Sequence, residues 1–291
     1  MGLLGGKAVV ITGAGQGIGA ACARSAARLG AAVVVNDIDR QRADAVVEEI
    51  NSGKGRAVAE VGDVSSWVNA ERLITRCVDE FGQIDGLVNN AAVLRPGRID
   101  EASEQDLRLM FEVNALGVAF CTAHASRRMI PRRQGSIVNV SSGSHAGDAT
   151  LSGYAGTKGA VASFTYSWAM ELAEHNVRVN ALLPLADTKM RTTTDEYRAG
   201  IGLEAYPALH VSADGNTPVV DYLLSDLSKD VNGQLISIFG SSLALITHPA
   251  RLHPDARRKG WTAESIAEAF SLSFKERLLP LGLATVTVET V

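Results

Sequence analysis

The chain has 291 residues, of which 46% are hydrophobic and 21% charged, and this balance excludes a disordered protein. Its formal net charge of −4 gives no reason to expect nucleic acid as a partner. No run approaches the ~18 apolar residues of a membrane span. The N-terminus lacks the layout of a signal peptide, and the three cysteines are widely spaced without metal-like pairing. We therefore expect a globular protein of the cytoplasm, with no membrane association and no metal site.

The first predicted elements are a strand, a glycine-rich loop and a helix. Residues 7–12 form a short β-branched run, and a helical pattern follows at residues 20–29. Glycines let the backbone approach a pyrophosphate, and the start of a helix offers unpaired N–H groups and the positive end of the helix dipole. The pattern therefore predicts a phosphate site. Its residues are Gly13, Gly15, Gln16, Gly17, Ile18 and Gly19.

Asp37 follows the second predicted strand, residues 31–36, and lies eighteen residues past Gly19. A carboxylate at this place accepts hydrogen bonds from the adenosine ribose hydroxyls and repels a 2′-phosphate. Asp37 therefore favours NAD over NADP as the cofactor. Arg40 is the opposing signal, and we interpret it as a solvated arginine at the start of the next helix, residues 41–51.

Polar or small residues follow the next two predicted strands, at the carboxyl edge where sheets of this kind bind ligands. These strands cover residues 56–61 and 84–89, with a helix at residues 65–81 between them. Amide side chains after a buried strand can tie neighbouring strand ends together beside a cofactor, and a turn-forming role is the alternative. The residues placed at this edge are Asp63, Val64, Asn90 and Ala91.

A long helical pattern over residues 103–129 contains Asn114 within an otherwise apolar stretch. A buried amide needs a hydrogen-bond partner. Asn114 is therefore either a satisfied core residue or part of a site, and the residues alone favour the core role.

Tyr154 and Lys158 lie at the start of the helix predicted for residues 154–174, four positions apart and so on one face. The strand before it, residues 136–140, leads into a Gly/Ser loop that contains Ser142. A neighbouring ammonium favours the phenolate and lowers the pKa of a tyrosine toward the range in which it exchanges protons. The serine hydroxyl can hydrogen-bond a substrate oxygen held between the two. Alone this spacing is common, and it gains weight from the glycine loop.

Strands and helices alternate along the whole chain, with further strands at residues 176–183 and 234–239. The expected fold is an α/β doubly wound parallel sheet, a Rossmann fold, of about seven strands with helices on both faces. We assign residues 1–240 to one NAD-binding domain. Residues 241–291 form a C-terminal extension.

Two later segments have expected roles around the substrate. Residues 186–215 show no firm periodicity, and we interpret them as a lid over the substrate whose apolar content favours an apolar substrate. The extension carries a helix at residues 262–279 with Thr262 as its N-cap and an apolar stripe on one face. This stripe packs either on its own domain or on a neighbouring subunit.

In this order and spacing, the motifs resemble the classical short-chain dehydrogenase/reductase family over residues 5–240. The residues that carry the resemblance are Thr12, the glycine loop, Asp63, Asn89, Asn90, Ala91, Asn114, Ser142, Tyr154, Lys158, Asn180 and Pro184. The resemblance implies an NAD-dependent oxidoreductase that interconverts a secondary alcohol and a ketone. Residues 219–240 and the Trp-Thr-x-Glu segment at Trp261 are also similar to the (3R)-hydroxyacyl-CoA dehydrogenase part of peroxisomal multifunctional enzyme type 2. A 3-hydroxyacyl thioester or another apolar alcohol is therefore the expected substrate.

The resemblance also implies a role for each site residue. Tyr154 becomes the acid/base, Lys158 lowers its pKa and binds the nicotinamide ribose, and Ser142 holds the substrate oxygen. Asn114 anchors a water that relays protons to the lysine, and Thr188 contacts the carboxamide or the diphosphate. Hydride passes between the carbinol carbon and the nicotinamide while the phenol moves the hydroxyl proton.

One departure from the family pattern leaves a choice open. Ser142 lies twelve residues before Tyr154, whereas the family's serine lies thirteen before it, so Ser141 and Ser144 are alternatives. Two other activities are also possible readings of the motifs. One is an NADP-dependent carbonyl reductase, and the other is a cofactor-binding regulator without turnover, which the loss of the tyrosine or lysine would favour.

The predicted helices at residues 103–129 and 154–174 carry more large apolar positions than one flank of a sheet needs. They include Leu107, Phe111, Leu116, Phe164 and Trp168. We expect a homodimer or homotetramer that pairs these helices across a two-fold axis, as the resemblance also implies. The alternative is a monomer whose C-terminal extension covers this surface.

Overall fold

An eight-stranded sheet forms the centre of the first of the two units into which the chain divides, Met1–Ile246. The computed structural model describes residues 2–207, 211–250, 255–258, 260–278 and 280–284. The strands are β1 (Ala8–Ile11), β2 (Ala32–Asp37), β3 (Arg56–Val61), β4 (Gly86–Asn89), β5 (Gly135–Val140), β6 (Val177–Pro184), β7 (Leu235–Phe239) and β8 (Ser242–Ile246).

The strands lie in the order β3-β2-β1-β4-β5-β6-β7-β8. Neighbours from β3 to β7 are parallel, and β8 is antiparallel to β7. The chain order reverses between β1 and β4, and at such a point the strand ends leave a crevice for a ligand. The doubly wound parallel sheet expected from the sequence is confirmed, and the crevice is where the site should be sought.

The eighth strand, β8, is absent from the sequence prediction. Its first residue, Ser242, pairs with Phe239 across a tight turn in which Gly240 has a φ of +55°. This left-handed conformation favours glycine, and a two-residue turn of this kind joins antiparallel strands. The sheet therefore continues to Ile246, beyond the expected domain end at residue 240, and the second unit begins at Thr247.

Helices cover both faces of the sheet. They are α1 (Gly17–Arg28), α2 (Arg40–Ser52), α3 (Trp67–Phe81), α4 (Glu104–Phe111), α5 (Gly117–Met129), α6 (Ser152–Ala173), α7 (Lys189–Gly200) and α8 (Thr217–Leu224). Side chains alternate along β1, so that Val9 and Ile11 pack in the core with α1, α2 and α8. Ala8 and Val10 pack on the other face with α3, α5 and α6. Full burial of a Val or Ile side chain stabilises the fold by about 1.5–3 kcal/mol, so this alternation fixes the two layers.

Two helical segments differ from the sequence prediction. The helix expected over residues 103–129 contains a π-helical segment, Glu112–Leu116, between α4 and α5. Segments of this kind occur frequently at functional sites. The segment 186–215, expected to lack periodicity, contains the helix α7. Arg191 and Asp195 form an ion pair of 2.9 Å one turn apart on this helix, which supports it locally.

The second unit, Thr247–Val291, contains the helix α9 (Ala263–Ala269), followed by a π-helical segment, Phe270–Phe274. Thr262 caps α9 as expected. Its hydroxyl accepts a hydrogen bond of 3.2 Å from the Ser265 N–H, and the Ser265 hydroxyl accepts one of 2.9 Å from the Thr262 N–H. The expected end of this helix, residue 279, lies outside the described residues. Within the described ranges no helix is both long and apolar enough to cross a membrane.

Candidate active site

The loop between β1 and α1 packs against the chain after β4 at Gly13 and borders open space at Gly17. Gly13 and Gly17 have φ values of +60° and +57°, which favour glycine. A Cβ at Gly13 would lie 2.7 Å from the Ala91 Cα, whereas a Cβ at Gly17 would enter open space. A Cβ at Gly19 would collide with the Gly13 carbonyl. Gly17 and Ile18 open α1, and the first turn of a helix gives their N–H groups no acceptor within the helix. This shape and polarity fit a dinucleotide diphosphate.

Thr12 and Asn90 join the carboxyl ends of β1 and β4 under this loop. Thr12 Oγ1 accepts hydrogen bonds from the Asn90 and Ala91 N–H groups, both at 3.0 Å. The Asn90 side chain donates to the carbonyls of Thr12 and Gly13, both at 2.9 Å. The structure thus contains the tie between strand ends that the sequence predicts. Thr12 anchors it, and the sequence analysis gave that residue no role.

We expect Thr12→Val to lower the free energy of unfolding by about 2–4 kcal/mol. The substitution keeps the side-chain shape but removes the acceptor of two N–H groups, and an unsatisfied buried group costs about 1–3 kcal/mol. Urea unfolding of the wild type, Thr12→Val and Thr12→Ser measures the effect, because serine retains the hydroxyl. Equal stability of the two variants would show that the hydroxyl does not hold the strand ends.

Asp37 is placed at the end of β2, directly beside the glycine loop. Its Oδ2 accepts a hydrogen bond of 2.9 Å from the Gly15 N–H, and its Oδ1 accepts one of 3.0 Å from the Asp39 N–H. Each carboxylate oxygen retains a further lone pair, so the group can still accept from a hydroxyl. Arg40 is exposed at the start of α2, as expected, while Arg42 pairs with Asp39 at 3.1 Å.

Asp63 and Val64 follow β3 at the same edge of the sheet. Asp63 Oδ1 accepts a hydrogen bond of 2.9 Å from the Ser65 N–H and so fixes the turn into α3. Val64 is buried, and its side chain packs against Gly117, where a Cβ would come within 2.8 Å of it. These contacts place Val64 beside the start of α5 and Asp63 at the turn before α3.

Asn114 lies fully buried in the π-helical segment. Its Oδ1 accepts a hydrogen bond of 2.8 Å from the Val93 N–H, and its Nδ2 donates to the Val93 carbonyl at 2.8 Å and to Thr157 Oγ1 at 3.2 Å. The side chain is therefore a satisfied link between α6 and the chain after β4.

Ser142, Tyr154 and Lys158 come together between the end of β5 and the start of α6. The Ser142 side chain lies near enough to the Tyr154 phenol to act on its pKa. Ser142 Oγ accepts a hydrogen bond of 2.9 Å from the Ser144 hydroxyl. Ser141 faces away, because its hydroxyl donates to the Lys158 carbonyl at 3.0 Å. Lys158 Nζ donates to the Val140 carbonyl at 2.7 Å and lies 5.5 Å from the centre of the tyrosine ring.

Burial sets the pKa values of this pair. It raises the pKa of Tyr154, and the hydrogen bond from Ser142 opposes that shift without overcoming it. Burial lowers the pKa of Lys158 to about 8. The sequence analysis expects Lys158 to lower the phenol pKa; in the chain alone, burial is the largest influence on this group and it acts in the opposite direction.

The surroundings of the Tyr154 ring are apolar and come from the loops after β4 and β5 together with the helices α4 and α7. Tyr154 belongs to a cluster with Leu94, Met110 and Leu151, against which Met190 of α7 packs. The Gly97 N–H donates to the Thr150 carbonyl at 2.8 Å, which joins the loop after β4 to the loop after β5. Thr188, at the N-cap of α7, is half-buried. The arrangement leaves an apolar side for a substrate and a polar side for a cofactor.

Two further site residues were not found from the sequence. His145 Nδ1 lies 2.7 Å from the Ser142 carbonyl oxygen and must donate, because a carbonyl only accepts. Thr157 receives the hydrogen bond from Asn114 and donates to the Tyr154 carbonyl at 2.7 Å. Neither residue type signals such a contact in sequence. In the described part of the chain, no group of three or more His, Cys, Asp or Glu side chains is placed to hold a metal ion.

A glycine loop at the crossover of a parallel sheet, with a buried phenol and ammonium beside it, defines a dinucleotide-binding protein of the Rossmann class. Comparison with known proteins narrows this class. The short chain dehydrogenase family matches residues 7–199. A 3-oxoacyl-(acyl-carrier-protein) reductase of Thermotoga maritima is 35% identical over 239 residues, which is 81% of this chain and 97% of that protein.

Two other similar proteins extend the comparison. A cis-4-hydroxycyclohexanecarboxylate dehydrogenase of Sinomonas cyclohexanicum is 35% identical over 249 residues, covering 82% of this chain and 97% of that protein. The crystal structure of a short chain dehydrogenase from Mycobacterium avium superposes with a TM-score of 0.85 at 27% identity, covering 98% of this chain and 100% of that one.

The chain belongs to the short-chain dehydrogenase family. It is therefore an oxidoreductase that binds a nicotinamide cofactor, NAD or NADP, and acts on a small-molecule substrate. The family resemblance drawn from the motifs is confirmed.

Proposed function

We propose that this protein is an NAD(H)-dependent oxidoreductase that interconverts a secondary alcohol and a ketone, with Tyr154 as the acid/base. The observation that carries the proposal is the buried pair of Tyr154 and Lys158, with Lys158 Nζ 5.5 Å from the centre of the tyrosine ring and apolar side chains around the phenol. A carbonyl oxygen placed between the serine and the tyrosine would receive hydrogen bonds from both. The raised pKa keeps the phenol protonated at neutral pH, as a proton donor to a ketone must be.

Three residues around Tyr154 have supporting roles in the proposed reaction. Ser142 orients the substrate oxygen, and Lys158 binds the nicotinamide ribose with its ammonium group. Asn114 holds the chain after β4 through Val93, so that the apolar wall keeps its place. The nicotinamide, when bound, supplies the hydride acceptor or donor, and the protein supplies position and electrostatics.

The residues proposed to hold the cofactor lie along the open side of the crevice. Gly13, Gly15, Gln16, Gly17, Ile18 and Gly19 cradle the diphosphate, Asp37 accepts from the adenosine ribose, Asp63 and Val64 meet the adenine, and Asn90, Ala91 and Thr188 bound the nicotinamide half. The geometry that supports this is the open space above Gly17 together with the placement of Asp37 beside Gly15.

We expect Asp37→Ala, combined with Ile38→Arg, to move the cofactor preference from NAD toward NADP by ~10-fold or more in the ratio of kcat/KM values. The change removes a carboxylate that repels the 2′-phosphate, and the side chain of Ile38 is 72% exposed, so an arginine there is free to reach a phosphate. Asp39→Asn is the control, because it removes a nearby charge and keeps an acceptor for the Arg42 N–H at the start of α2. A wild type that prefers NADP would defeat the assignment of Asp37.

The proposed substrate is an apolar secondary alcohol, such as a 3-hydroxyacyl thioester or a cyclic alcohol. Leu94, Leu151 and Met190 around Tyr154 support it. The similar proteins named as a 3-oxoacyl reductase and a hydroxycyclohexanecarboxylate dehydrogenase also support it. An NADP-dependent carbonyl reductase is the second candidate, which Asp37 disfavours. A regulator without turnover is disfavoured because Tyr154 and Lys158 are both present and lie side by side, with Lys158 Nζ 5.5 Å from the centre of the tyrosine ring.

We place the enzyme in the cytoplasm. Cys22, Cys77 and Cys121 are free and buried, and burial raises the pKa of each thiol. Unreactive, unpaired thiols of this kind suit a reducing compartment.

We also propose that the protein is a homodimer or homotetramer. Phe111, Leu116 and Met170 are 43%, 45% and 81% exposed on the helices α4 to α6, and exposed apolar side chains of this size mark a contact surface. We expect light scattering at micromolar concentration to give at least twice the chain mass of 30.7 kDa. Phe111→Glu combined with Leu116→Glu should release monomers. A mass of one chain for the wild type at all concentrations would refute the oligomer.

A further inference from the structure

Tyr206, on the segment that follows α7, reaches across to the loop between β5 and α6. Its phenol donates a hydrogen bond of 2.6 Å to Asp148 Oδ2 and lies 3.4 Å from Thr150 Oγ1. Asp148 is far from Tyr206 in sequence, so this contact fastens one loop of the rim to another. A charge-assisted hydrogen bond of this length is among the strong ones.

The tyrosine is held firmly on the lid side. The guanidinium carbons of Arg198 and Arg191 lie 4.1 Å and 5.0 Å from the centre of its ring. Its N–H donates to Asp195 Oδ1 at 3.0 Å, and Asp195 Oδ2 accepts from Arg191 at 2.9 Å. Arg198 donates to the Glu204 carbonyl at 2.8 Å. These groups fix the ring to α7, so the phenol hydroxyl is the atom that crosses to the other loop.

Asp148 is held equally firmly on the catalytic side. Its Oδ1 accepts from the Thr150 N–H and hydroxyl, both at 2.9 Å. Thr150 in turn accepts from the Gly97 N–H through its carbonyl. The loop that holds Asp148 begins at Ser142 and ends just before Tyr154. The position of Asp148 therefore affects the loop that connects the two residues proposed to bind the substrate oxygen.

The lid helix also carries an apolar contact with the reacting group. Met190 of α7 packs against the cluster of Leu94, Leu151 and Tyr154. A lid fastened at Asp148 therefore keeps Met190 over the phenol, and a released lid withdraws it and admits water.

We propose that Tyr206 is a positioning residue that latches the lid helix α7 to the loop between Ser142 and Tyr154 through its hydrogen bond to Asp148. The inference rests on the proposed function insofar as Tyr154 is the acid/base. The lid as a feature follows from the segment 186–215, whereas the latch follows from these side-chain contacts alone. It makes substrate affinity depend on a residue that does not touch the reacting atoms.

The test uses Tyr206→Phe, Asp148→Asn and the double variant, with Tyr222→Phe on α8 as the matched control. Loss of the hydrogen bond should raise the KM of the alcohol ~10-fold, with a smaller change in kcat and with NADH affinity within two-fold of the wild type. Tyr206→Phe removes this hydrogen bond, and Asp148→Asn removes its charge assistance. Because both variants act on the same contact, the double variant should be no worse than the more affected single variant. Tyr222→Phe should behave as the wild type.

A second readout needs no substrate. The lid carries Lys189, Arg191 and Arg198, so trypsin reports its opening by cleavage at these residues. We expect ~10-fold faster cleavage there in Tyr206→Phe and in Asp148→Asn, with the thermal midpoint of the whole protein unchanged. Unchanged cleavage in both single variants, or faster cleavage without a rise in KM, would overturn the latch. Faster cleavage in a protein whose wild type turns over no alcohol would support the latch and sink the proposed function instead.

Discussion

Replacing Tyr154 with phenylalanine is expected to lower kcat by ~10²–10⁴ while the dissociation constant of NADH stays within a few-fold of the wild type. The ring of Tyr154 packs with Leu94, Met110 and Leu151, and phenylalanine keeps these contacts. Only the phenol hydroxyl is lost, and with it the proton donor of the proposed reaction. The loss should therefore fall on the chemical step rather than on folding or cofactor binding.

Steady-state turnover and a fluorescence titration with NADH separate the two effects. Tyr222→Phe is again the control, since it removes a phenol hydroxyl from α8, outside the site. A Tyr154→Phe variant that keeps more than a tenth of wild-type turnover would exclude Tyr154 as the acid/base. A variant that loses NADH binding would show that the residue serves the cofactor instead.

Lys158→Met should weaken NADH binding and lower turnover, each by ~10-fold or more, because one ammonium serves both the ribose and the phenol. The same change should leave the chain without cofactor at least as stable as the wild type. Lys158 is 1% exposed, and burial lowers its pKa from 10.5 to about 8. Methionine fills a similar volume without a charge, at the cost of one donor to the Val140 carbonyl.

The pH dependence follows from the sign of this shift. The folded pKa lies below the unfolded one, so the native state binds fewer protons between pH 8 and 10.5, and wild-type stability rises with pH over that window. Below it, the buried ammonium costs about 3 kcal/mol, which the variant does not carry. Urea unfolding at pH 7 and at pH 10 should show the advantage of Lys158→Met shrinking as the pH rises. A variant less stable than the wild type at pH 7, or one with unchanged NADH affinity, would contradict the respective half of this account.

The central sheet and the glycine loop were predictable because each is encoded locally. The run Ala32–Asp37 contains three consecutive valines and is buried on both faces, so its strand character is legible in the local sequence. The alternation of strand faces likewise separates Ser141 from Ser142, and the structure turns Ser141 toward Lys158 and Ser142 toward Tyr154.

The elements that escaped prediction depend on contacts that a sequence does not display. The helix α7 contains three consecutive threonines, and it is supported by the Arg191–Asp195 ion pair and by the packing of Tyr206 on Arg191 and Arg198. The strand β8 is short and mostly exposed, so it carries no buried face to reveal it. The burial of Tyr154, which raises its pKa in the chain alone, comes from Leu94, Met110 and Leu151, and the motif itself shows none of these contacts.

The measurement that tests the central claim most directly is the formation of reduced nicotinamide, followed by its absorbance, from a panel of secondary alcohols that includes 3-hydroxyacyl thioesters. It is run with NAD and with NADP, on the wild type and on Tyr154→Phe. The account predicts that NADH forms with at least one apolar secondary alcohol, faster than NADPH does, and at a rate at least ~10² above that of the variant. A wild type that binds NADH yet reduces no nicotinamide with any member of the panel, or one matched in rate by Tyr154→Phe, would contradict it.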